Sequence, residues 1–322
     1  MNEALLKVEH LTVGYANENE NVRILENVSF SVGQGEIVGI VGESGCGKSL
    51  TSLSVMGLLA EPLQIQTGSI NFNGTDLTRL GKKELNRYRG KEIAMIFQEP
   101  MTSLNPVFTI GNQISEAMTT HLNMNKKEVL ERTVYLLKQV GIPSAEHRVH
   151  EYPHQLSGGM RQRAMIAMAL ACDPLLLIAD EPTTALDVTI QAQILDLLLD
   201  IQREKNMSLI FITHDLGVLF KMADRVMVMY GGRIIESAPM KKLYDNPLHP
   251  YTQGLWKAVP SSTKGKGRLY NIPGTVPDPK DNTKGCRFAS RCEFVEKRCL
   301  ESEPPLLKKA EDWQVACFLH DE

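Results

Sequence analysis

The chain has 322 residues and a formal net charge of −3, from 35 Lys and Arg against 38 Asp and Glu. Hydrophobic residues make up 43% and charged residues 23% of the chain, values typical of globular proteins. This composition excludes a long disordered polymer and a fibrous repeat. It also argues against a protein that holds nucleic acid by bulk positive charge. The length predicts two domains, or one large domain with an appendage.

The sequence gives no sign of membrane insertion or secretion. No apolar run approaches the roughly 18–20 residues that span a bilayer, and the N-terminus lacks the basic start and long apolar core of a signal peptide. We therefore expect a cytosolic chain. Because the cytosol is reducing, we do not expect its six cysteines to form disulfides.

The first hundred residues predict mainly strands. Residues 6–13 and 28–32 alternate between apolar and polar, and residues 37–41 are apolar on both faces, as in a buried parallel strand. A glycine-rich turn and a helix near 48–59 follow. A further apolar strand at 93–97 ends at Gln98.

Helical periodicity dominates residues 100–172. Two strand–helix pairs come next, at 175–179 with 189–204 and at 209–213 with 215–222. This alternation of apolar strands and amphipathic helices predicts an α/β fold with a mostly parallel sheet.

The amino-acid composition of the chain changes after residue 245. Prolines become frequent, residues 261–267 are rich in Ser, Lys and Gly, and four of the six cysteines fall within residues 286–317. These shifts predict a domain boundary near 255–265.

The segment from Gly42 to Ser49 reads Gly-Glu-Ser-Gly-Cys-Gly-Lys-Ser, the pattern of a phosphate-binding P-loop. Its glycine N–H groups can converge on phosphate oxygens, and the N-terminus of the following helix adds partial positive charge. Lys48 is placed to reach the β- and γ-phosphates of a nucleotide, and Ser49 to bind Mg²⁺. The alternative, a chance glycine turn, does not explain the flanking strand and helix. The predicted nucleotide-binding residues are Gly42, Ser44, Gly45, Cys46, Gly47, Lys48, Ser49 and Leu50.

The apolar strand at 175–179 ends in two carboxylates, Asp180 and Glu181. A buried strand would deliver Asp180 to the carboxyl edge of the sheet, where it can bind the metal directly or through water. Glu181, one residue further, can polarise an attacking water. Alone this is a weak signal, but it gains weight beside a P-loop.

A third element is the run Leu156-Ser-Gly-Gly-Met160. Ser157 suits a helix N-cap, and Gly158 and Gly159 would expose backbone N–H groups. Without the other elements, an ordinary capped helix would explain it equally well.

Taken in order, these motifs resemble the nucleotide-binding subunit of ATP-binding cassette (ABC) transporters over about residues 5–255. The family order is P-loop, glutamine loop, LSGGQ-type signature, acidic strand end, D-loop and switch histidine. Position 160 is Met where the family pattern has Gln. The matching positions are Gln98, Leu156–Gly159, Asp180–Glu181, Ala185–Asp187 and His214, with Tyr15 at the aromatic that stacks on adenine.

The resemblance implies the fold and the roles of single residues. The fold would be a P-loop NTPase cassette with a mostly parallel core sheet and an N-terminal antiparallel β-subdomain over residues 1–255, including a helical subdomain at about 99–172. Gln98 would contact Mg²⁺ and the lytic water, and His214 would hydrogen-bond the γ-phosphate of ATP. Asp187 would help couple the nucleotide-binding sites of two paired cassettes. The alternative for Tyr15 is core packing, and for His214 a surface position.

The resemblance also implies partners. The signature residues Ser157, Gly158 and Gly159 would act on the ATP of a second ABC ATPase, so two cassettes must close face to face. Residues 98–106 and 246–255 are similar to segments of oligopeptide, dipeptide and nickel importer ATPases. Such importers pair two distinct ATPase chains, as a heterodimer, with two transmembrane permease subunits and an extracytoplasmic solute-binding protein. The chain would lie peripherally on the cytoplasmic face of the membrane, with peptides as favoured cargo, nickel as the alternative, and no nucleic-acid partner.

The C-terminal extension, residues 256–322, contains Cys286, Cys292, Cys299 and Cys317. It is small and proline-rich, so a metal centre could supply stability that its core lacks. Zinc sites usually use a close Cys-x₂₋₄-Cys pair, which is missing here, and wider spacing suits a [4Fe–4S] cluster. The C-terminal region also resembles that of dipeptide-transporter ATPases reported with such a cluster. Zinc and scattered free thiols are the alternatives.

A soluble ABC protein of DNA maintenance is the competing function. The chain has no sustained heptads and no basic stripe, and it carries a helical stretch between Gln98 and Leu156, where transporter cassettes receive the membrane subunit. A binding module without hydrolysis is disfavoured because Glu181 and His214 are both present.

Overall fold

The computed structural model describes residues 4–16, 20–99, 103–184, 187–258, 271–281 and 284–321. Within these ranges the strands are β1 (Leu6–Ala16), β2 (Asn21–Val32), β3 (Ile37–Val41), β4 (Gln64–Phe72), β5 (Thr75–Asp76), β6 (Ile93–Ile96), β7 (Leu176–Asp180), β8 (Ser208–Thr213), β9 (Arg225–Tyr230), β10 (Arg233–Pro239), β11 (Leu307–Ala310) and β12 (Trp313–Val315). The α-helices are α1 (Lys48–Val55), α2 (Lys82–Leu85), α3 (Ile110–His121), α4 (Lys126–Gln139), α5 (Ala145–Arg148), α6 (Gly158–Ala169), α7 (Val188–Lys205), α8 (Leu216–Met222), α9 (Met240–Asp245), α10 (Pro250–Lys257) and α11 (Lys297–Glu301).

The chain divides into two compact units. The first comprises Met1–Gly33, Ile37–Arg79 and Phe211–Glu322, and the second comprises Gln34–Glu36 and Leu80–Ile210. Residues 271–281 and 284–321 fall in the first unit with the N-terminal strands. The domain boundary near 255–265 stays a prediction from the sequence. The linker-like stretch at 261–267 lies outside the described residues.

An antiparallel sheet forms one part of the first unit. Its strand order is β2-β1-β4-β5, with Leu6 of β1 opposite Val32 of β2 and Phe72 of β4. Leu6, Val8 and Val32 are fully buried, as the alternation of apolar residues predicts. The expected N-terminal antiparallel β-subdomain is therefore present.

A second sheet of the first unit has the order β11-β12-β10-β9-β3. Strand β3 pairs with β9 in parallel, but β10, β11 and β12 join antiparallel. For β10 the cause is a two-residue turn at Gly231 and Gly232, whose φ angles of 53° and 81° return the chain beside β9. The sheet is therefore mixed: it is parallel at β3 and β9, as predicted, and antiparallel from β9 to β11.

The C-terminal segment shares the core of the first unit. Val315 of β12 lies opposite Glu236 of β10 and is fully buried. The Phe288 ring packs edge-on against Tyr230 and Tyr251, with ring centroids 5.2 and 5.4 Å apart. The extension is thus stabilised by burial against the cassette strands, which its proline-rich composition did not indicate.

The second unit carries the predicted helical region and the acidic strand end. Strands β6 and β7 pair in parallel, from Ile93 opposite Leu176 to Ile96 opposite Ala179. Helix α4 is held at its start by a capping box of Asn125 and Glu128. Strand β8 runs through the point where the chain passes from this unit to the first. In the part of the chain that the structure describes, no helix has both the length and the apolar character needed to cross a bilayer.

Candidate nucleotide-binding site

The P-loop lies in the first unit, between the wholly buried strand β3 and helix α1. Gly45 and Gly47 have φ angles of 79° and 104°, in the left-handed region that favours glycine. A Cβ atom on Gly47 would come 2.4 Å from Leu25 Cδ2, whereas one on Gly45 would meet nothing within 4 Å. The loop is therefore packed tightly at its base and open at Gly45, where a ligand can approach the backbone.

Lys48, the first residue of α1, is buried, with 6% of its surface exposed. Its Nζ donates to the carbonyl oxygens of Gly42 at 2.8 Å and Glu43 at 3.1 Å. Gly47 contributes no side chain to cap the helix, so the first N–H groups of α1 are not held by a side chain of the N-cap residue. A buried cation and a helix N-terminus thus both lie at the loop, an arrangement that suits phosphate.

The other P-loop side chains differ in exposure. Ser44 is exposed and Ser49 and Leu50 are half-buried, while Cys46 is fully buried and burial raises the pKa of its thiol. Cys46 therefore fills space under the loop. Helix α1 ends at Val55, earlier than predicted, because Gly57 takes a left-handed φ of 61° just beyond it.

Two further predicted residues lie in the same unit. Tyr15 is on β1 opposite Val22 and is half-buried. His214 is exposed at the carboxyl end of β8. The next residue, Asp215, caps α8 by accepting from the N–H of Gly217 at 2.7 Å. His214 therefore lies in the short connection between β8 and the capped start of α8.

The second unit brings Gln98 and Glu181 together. Asp180 ends β7 and is 4% exposed. Glu181 Oε2 accepts from Gln98 Nε2 at 3.0 Å and from Thr184 Oγ1 at 2.9 Å. The parallel pairing of β6 and β7 explains the meeting, because both residues follow the carboxyl ends of neighbouring strands. Thr184 is a contact that the sequence analysis did not identify, although its position three residues after Glu181 places it within reach.

Glu181 has an unusual backbone. Its φ of 46° lies in the left-handed region, which costs free energy for a residue with a side chain. Such strain persists where the surroundings fix it, and here two hydrogen bonds hold the carboxylate. The left-handed backbone and the two hydrogen bonds together fix the position of the Glu181 carboxylate.

The signature residues start helix α6 in the second unit. Ser157 is the N-cap, and its Oγ accepts from the Met160 N–H at 3.4 Å. A Cβ atom on Gly158 would meet nothing within 4 Å, while one on Gly159 would come 3.2 Å from Ile190 Cγ2. The predicted capped helix with open glycine backbone is therefore present.

Asp187 caps helix α7, with Oδ1 accepting from the Ile190 N–H at 2.9 Å. The preceding D-loop residues, Ala185 and Leu186, lie outside the described residues, as do residues 100–102 of the segment after Gln98.

The four C-terminal cysteines line one small cavity of about 20 Å³ in the first unit, together with the rings of Phe288, Phe294 and Phe318. All are free thiols, and burial raises the pKa of Cys286 to about 12. Within the described ranges, no group of three or more His, Cys, Asp or Glu side chains is arranged to hold a metal ion. The structure therefore does not show the metal-binding extension that the cysteine spacing predicted.

Comparison with known proteins adds to this geometry. Residues 25–184 match the ABC transporter family model, and residues 235–299 match the model of the oligopeptide/dipeptide transporter C-terminal region. The chain is 50% identical to the dipeptide transport ATP-binding protein DppD of Escherichia coli over 314 residues, which is 98% of this chain and 96% of that protein. It is also 50% identical to the oligopeptide transport ATP-binding protein AppD of Bacillus subtilis over 319 residues, which is 99% of this chain and 97% of that protein.

A solved relative shares the fold. The dimeric post-hydrolysis structure of the ATP-binding cassette MJ0796 bound to ADP and Pi superposes with a TM-score of 0.66 at 27% identity, covering 73% of this chain and 98% of that one. The fold and the P-loop define an ATP-binding cassette ATPase of the ABC transporter family. Within that family, the chain belongs to the oligopeptide/dipeptide transporter ATP-binding proteins.

Proposed function

We propose that this chain is the ATP-hydrolysing subunit of a membrane importer of dipeptides and oligopeptides. The observation that carries the proposal is the P-loop, open at Gly45 with Lys48 buried beneath it, in a chain whose full-length relatives are named for peptide transport. Binding and hydrolysis of ATP would supply the free energy for uptake.

The proposed roles of the nucleotide-binding residues follow the family motifs. The loop from Gly42 to Leu50 binds the phosphates of ATP, with Lys48 at the β- and γ-phosphates, and Tyr15 stacks on adenine. Mg²⁺ would be held by Ser49, Gln98 and Asp180, whose hydroxyl, amide and carboxylate oxygens are the donors that this ion prefers. The ion would neutralise charge that develops on the phosphates.

The proposed hydrolytic residues are Glu181, Gln98 and His214. Glu181 polarises the attacking water, and the amide of Gln98, 3.0 Å from its carboxylate, orients the same water. His214 donates to the γ-phosphate. The exposed position of His214 and the hydrogen-bonded position of Glu181 support these assignments.

We also propose that two cassettes close face to face during the reaction. The open backbone at Gly158, beside the Ser157 cap, would bind the ATP of the other cassette, and Asp187 would couple the two sites. The second cassette would be a related but distinct ATPase chain. The remaining partners would be two transmembrane permease subunits and an extracytoplasmic solute-binding protein, with this chain peripheral on the cytoplasmic face of the membrane.

A surface suited to the permease lies after the glutamine loop. Val107 and Phe108 are 71% and 51% exposed, ahead of helix α3, within the helical subdomain proposed at about 99–172. Adjacent exposed apolar side chains are typical of a contact surface. Val107 follows Gln98 by nine residues in the chain, so a permease helix docked there would contact the same stretch of chain that begins at Gln98.

For the extension, residues 256–322, we propose a [4Fe–4S] cluster held by Cys286, Cys292, Cys299 and Cys317. The four thiols surround one cavity lined with aromatic rings, and a four-iron cluster is larger than a single ion, so its thiolates lie further apart than the ligands of one zinc. Iron and acid-labile sulfide in anaerobically purified protein would support this assignment. One zinc per chain, or no metal, would refute it.

The experiment that tests the proposed function is isolation of the detergent-solubilised complex that contains this chain. We expect co-purification of permease subunits, and ATP hydrolysis stimulated by a peptide-loaded binding protein in the wild type but not in Lys48→Ala. Stimulation by a nickel-loaded binding protein instead would identify nickel, rather than peptides, as the transported solute. Stimulation by duplex DNA, without permeases, would refute the transport function.

A further inference from the structure

Arg291 connects the cysteine segment to the P-loop. It ends the short 3₁₀ helix Ala289–Arg291, one residue before Cys292. Its Nη1 donates to Glu43 Oε2 at 2.6 Å, and its Nη2 donates to Glu43 Oε1 at 2.9 Å. The Arg291 side chain is only 3% exposed. Two parallel, charge-assisted hydrogen bonds of this kind fix both groups in position.

The remaining donors of Arg291 are also used. Nε donates to the Pro273 carbonyl at 2.7 Å and Nη2 to the Ile272 carbonyl at 3.3 Å, while Nη1 contacts Tyr230 Oη at 3.3 Å. The guanidinium carbon lies 5.6 Å from the centre of the Tyr230 ring. The guanidinium is therefore held by the C-terminal segment in one orientation, with its fork directed at Glu43.

Glu43 is the second residue of the P-loop and is held at three points. Arg291 binds its carboxylate, the buried Tyr251 hydroxyl accepts from its backbone N–H at 2.8 Å, and its carbonyl accepts from Lys48 Nζ at 3.1 Å. The carbonyl of Glu43 is thus one of the two carbonyl acceptors that position the phosphate-binding lysine. A shift of Glu43 would move that acceptor and the start of the loop.

The charge of Glu43 matters as much as its position. An uncompensated carboxylate in a loop that binds phosphates would repel the triphosphate. The buried guanidinium of Arg291 pairs with the Glu43 carboxylate and offsets its negative charge. The sequence pattern of a P-loop does not reveal such a partner, because Arg291 lies 248 residues away in the chain.

We propose that Arg291 is a positioning residue for nucleotide binding: it fixes and neutralises Glu43, and so holds the P-loop and Lys48 in the shape that accepts the phosphates of ATP. This rests on the proposed function in that the loop must bind ATP. It assigns to the cysteine segment a role in nucleotide affinity, separate from any metal that the segment holds.

Equilibrium titration of the full chain with fluorescent mant-ATP and Mg²⁺ tests the proposal. We expect Arg291→Met to weaken ATP binding about tenfold, which is about 1.4 kcal/mol. Arg291→Lys, which keeps the charge but loses the fork, should weaken it by about threefold. Arg298→Met is the matched control: Arg298 also lies beside a cysteine but pairs with Glu296, and we expect unchanged affinity.

A double variant separates positioning from a general loss of structure. Glu43→Gln combined with Arg291→Met removes the uncompensated carboxylate, and we expect it to bind ATP more tightly than Arg291→Met alone. A merely structural role would make the double variant equal or weaker. Thermal unfolding will show whether Arg291→Met folds. If it does not, the ATP affinity of Arg291→Lys decides whether the proposal stands.

Two results would overturn the proposal: wild-type affinity in both Arg291 variants, or a double variant no better than Arg291→Met. Failure of the proposed function is a different result, because the wild-type chain would then bind no ATP or Lys48→Ala would bind it equally well.

Discussion

At the scale of single residues, the proposed mechanism of hydrolysis depends on Glu181. Its left-handed backbone and its two hydrogen bonds, from Gln98 and Thr184, fix the carboxylate at the end of β7. A strained residue retained at a strand end is typical of functional sites. The carboxylate is therefore positioned before any nucleotide arrives, and its charge rather than its packing is what hydrolysis should require.

Glu181→Gln tests that requirement. The amide oxygen of Gln can still accept a hydrogen bond, so the local structure should persist, but the group can no longer act as a base. We expect ATP binding to remain and ATP hydrolysis by the assembled complex to fall by about 100-fold or more. Steady-state phosphate release measures the rate.

The matched control is Glu204→Gln, which changes another carboxylate of the second unit that hydrogen-bonds a glutamine, Gln139, at the surface. It should hydrolyse ATP at the wild-type rate. Unchanged hydrolysis in Glu181→Gln would remove the proposed role of this residue.

At the scale of elements, the Gly231–Gly232 turn decides how the chain continues after the cassette strands. A Cβ atom on Gly232 would lie 1.8 Å from the Ile24 carbonyl oxygen, and the φ of 81° already disfavours any side chain. The turn therefore tolerates only glycine at this position. It returns β10 alongside β9, and β10 in turn pairs with β12 from the C-terminal segment.

Gly232→Ala should destabilise the protein by about 2 kcal/mol or more, since it combines strain with a clash against backbone. Gly74→Ala provides the comparison, because Gly74 has a similar φ of 83° but its Cβ would meet nothing within 4 Å. We expect the midpoint of thermal unfolding to fall in the order wild type, Gly74→Ala, Gly232→Ala. Equal midpoints for the two variants would show that the clash between residue 232 and the Ile24 carbonyl is relieved without loss of stability, contrary to this prediction.

Local elements could be predicted from the sequence because their causes are local. The periodicity at 126–140 and the apolar run at 37–41 correspond to α4 and β3 within a residue. The P-loop and the Ser157 cap are also local patterns. The pairing of β12 with β10 and the contact of Arg291 with Glu43 could not be predicted, since both join residues far apart in the chain and neither has a sequence period.

At the scale of the whole molecule, residues that the sequence assigns to a separate extension belong to the same compact unit as the P-loop. Phe288 and Val315 are buried in it, and Arg291 holds Glu43. The C-terminal segment therefore contributes to the stability of the cassette and, as we propose, to its nucleotide affinity. Prolines at the start of that segment indicated a linker, but they do not report what the rest of it packs against.

The signature residues also have a consequence at this scale. Ser157 and Gly158 present an open helix start in the second unit, and in our account they act on the nucleotide of another cassette. One chain alone would then bind ATP through Lys48 but lack a complete hydrolytic site. Assembly with a second cassette would supply the missing contacts.

The rate of ATP hydrolysis per chain, measured for the monomeric chain and for the same chain in the purified complex at saturating ATP, tests this claim most directly. We expect the monomer to bind ATP but to hydrolyse it at least about 100-fold more slowly than the complex, because the stabilising contacts to the phosphates are incomplete. Full turnover by a sample shown to be monomeric throughout the assay would contradict the account.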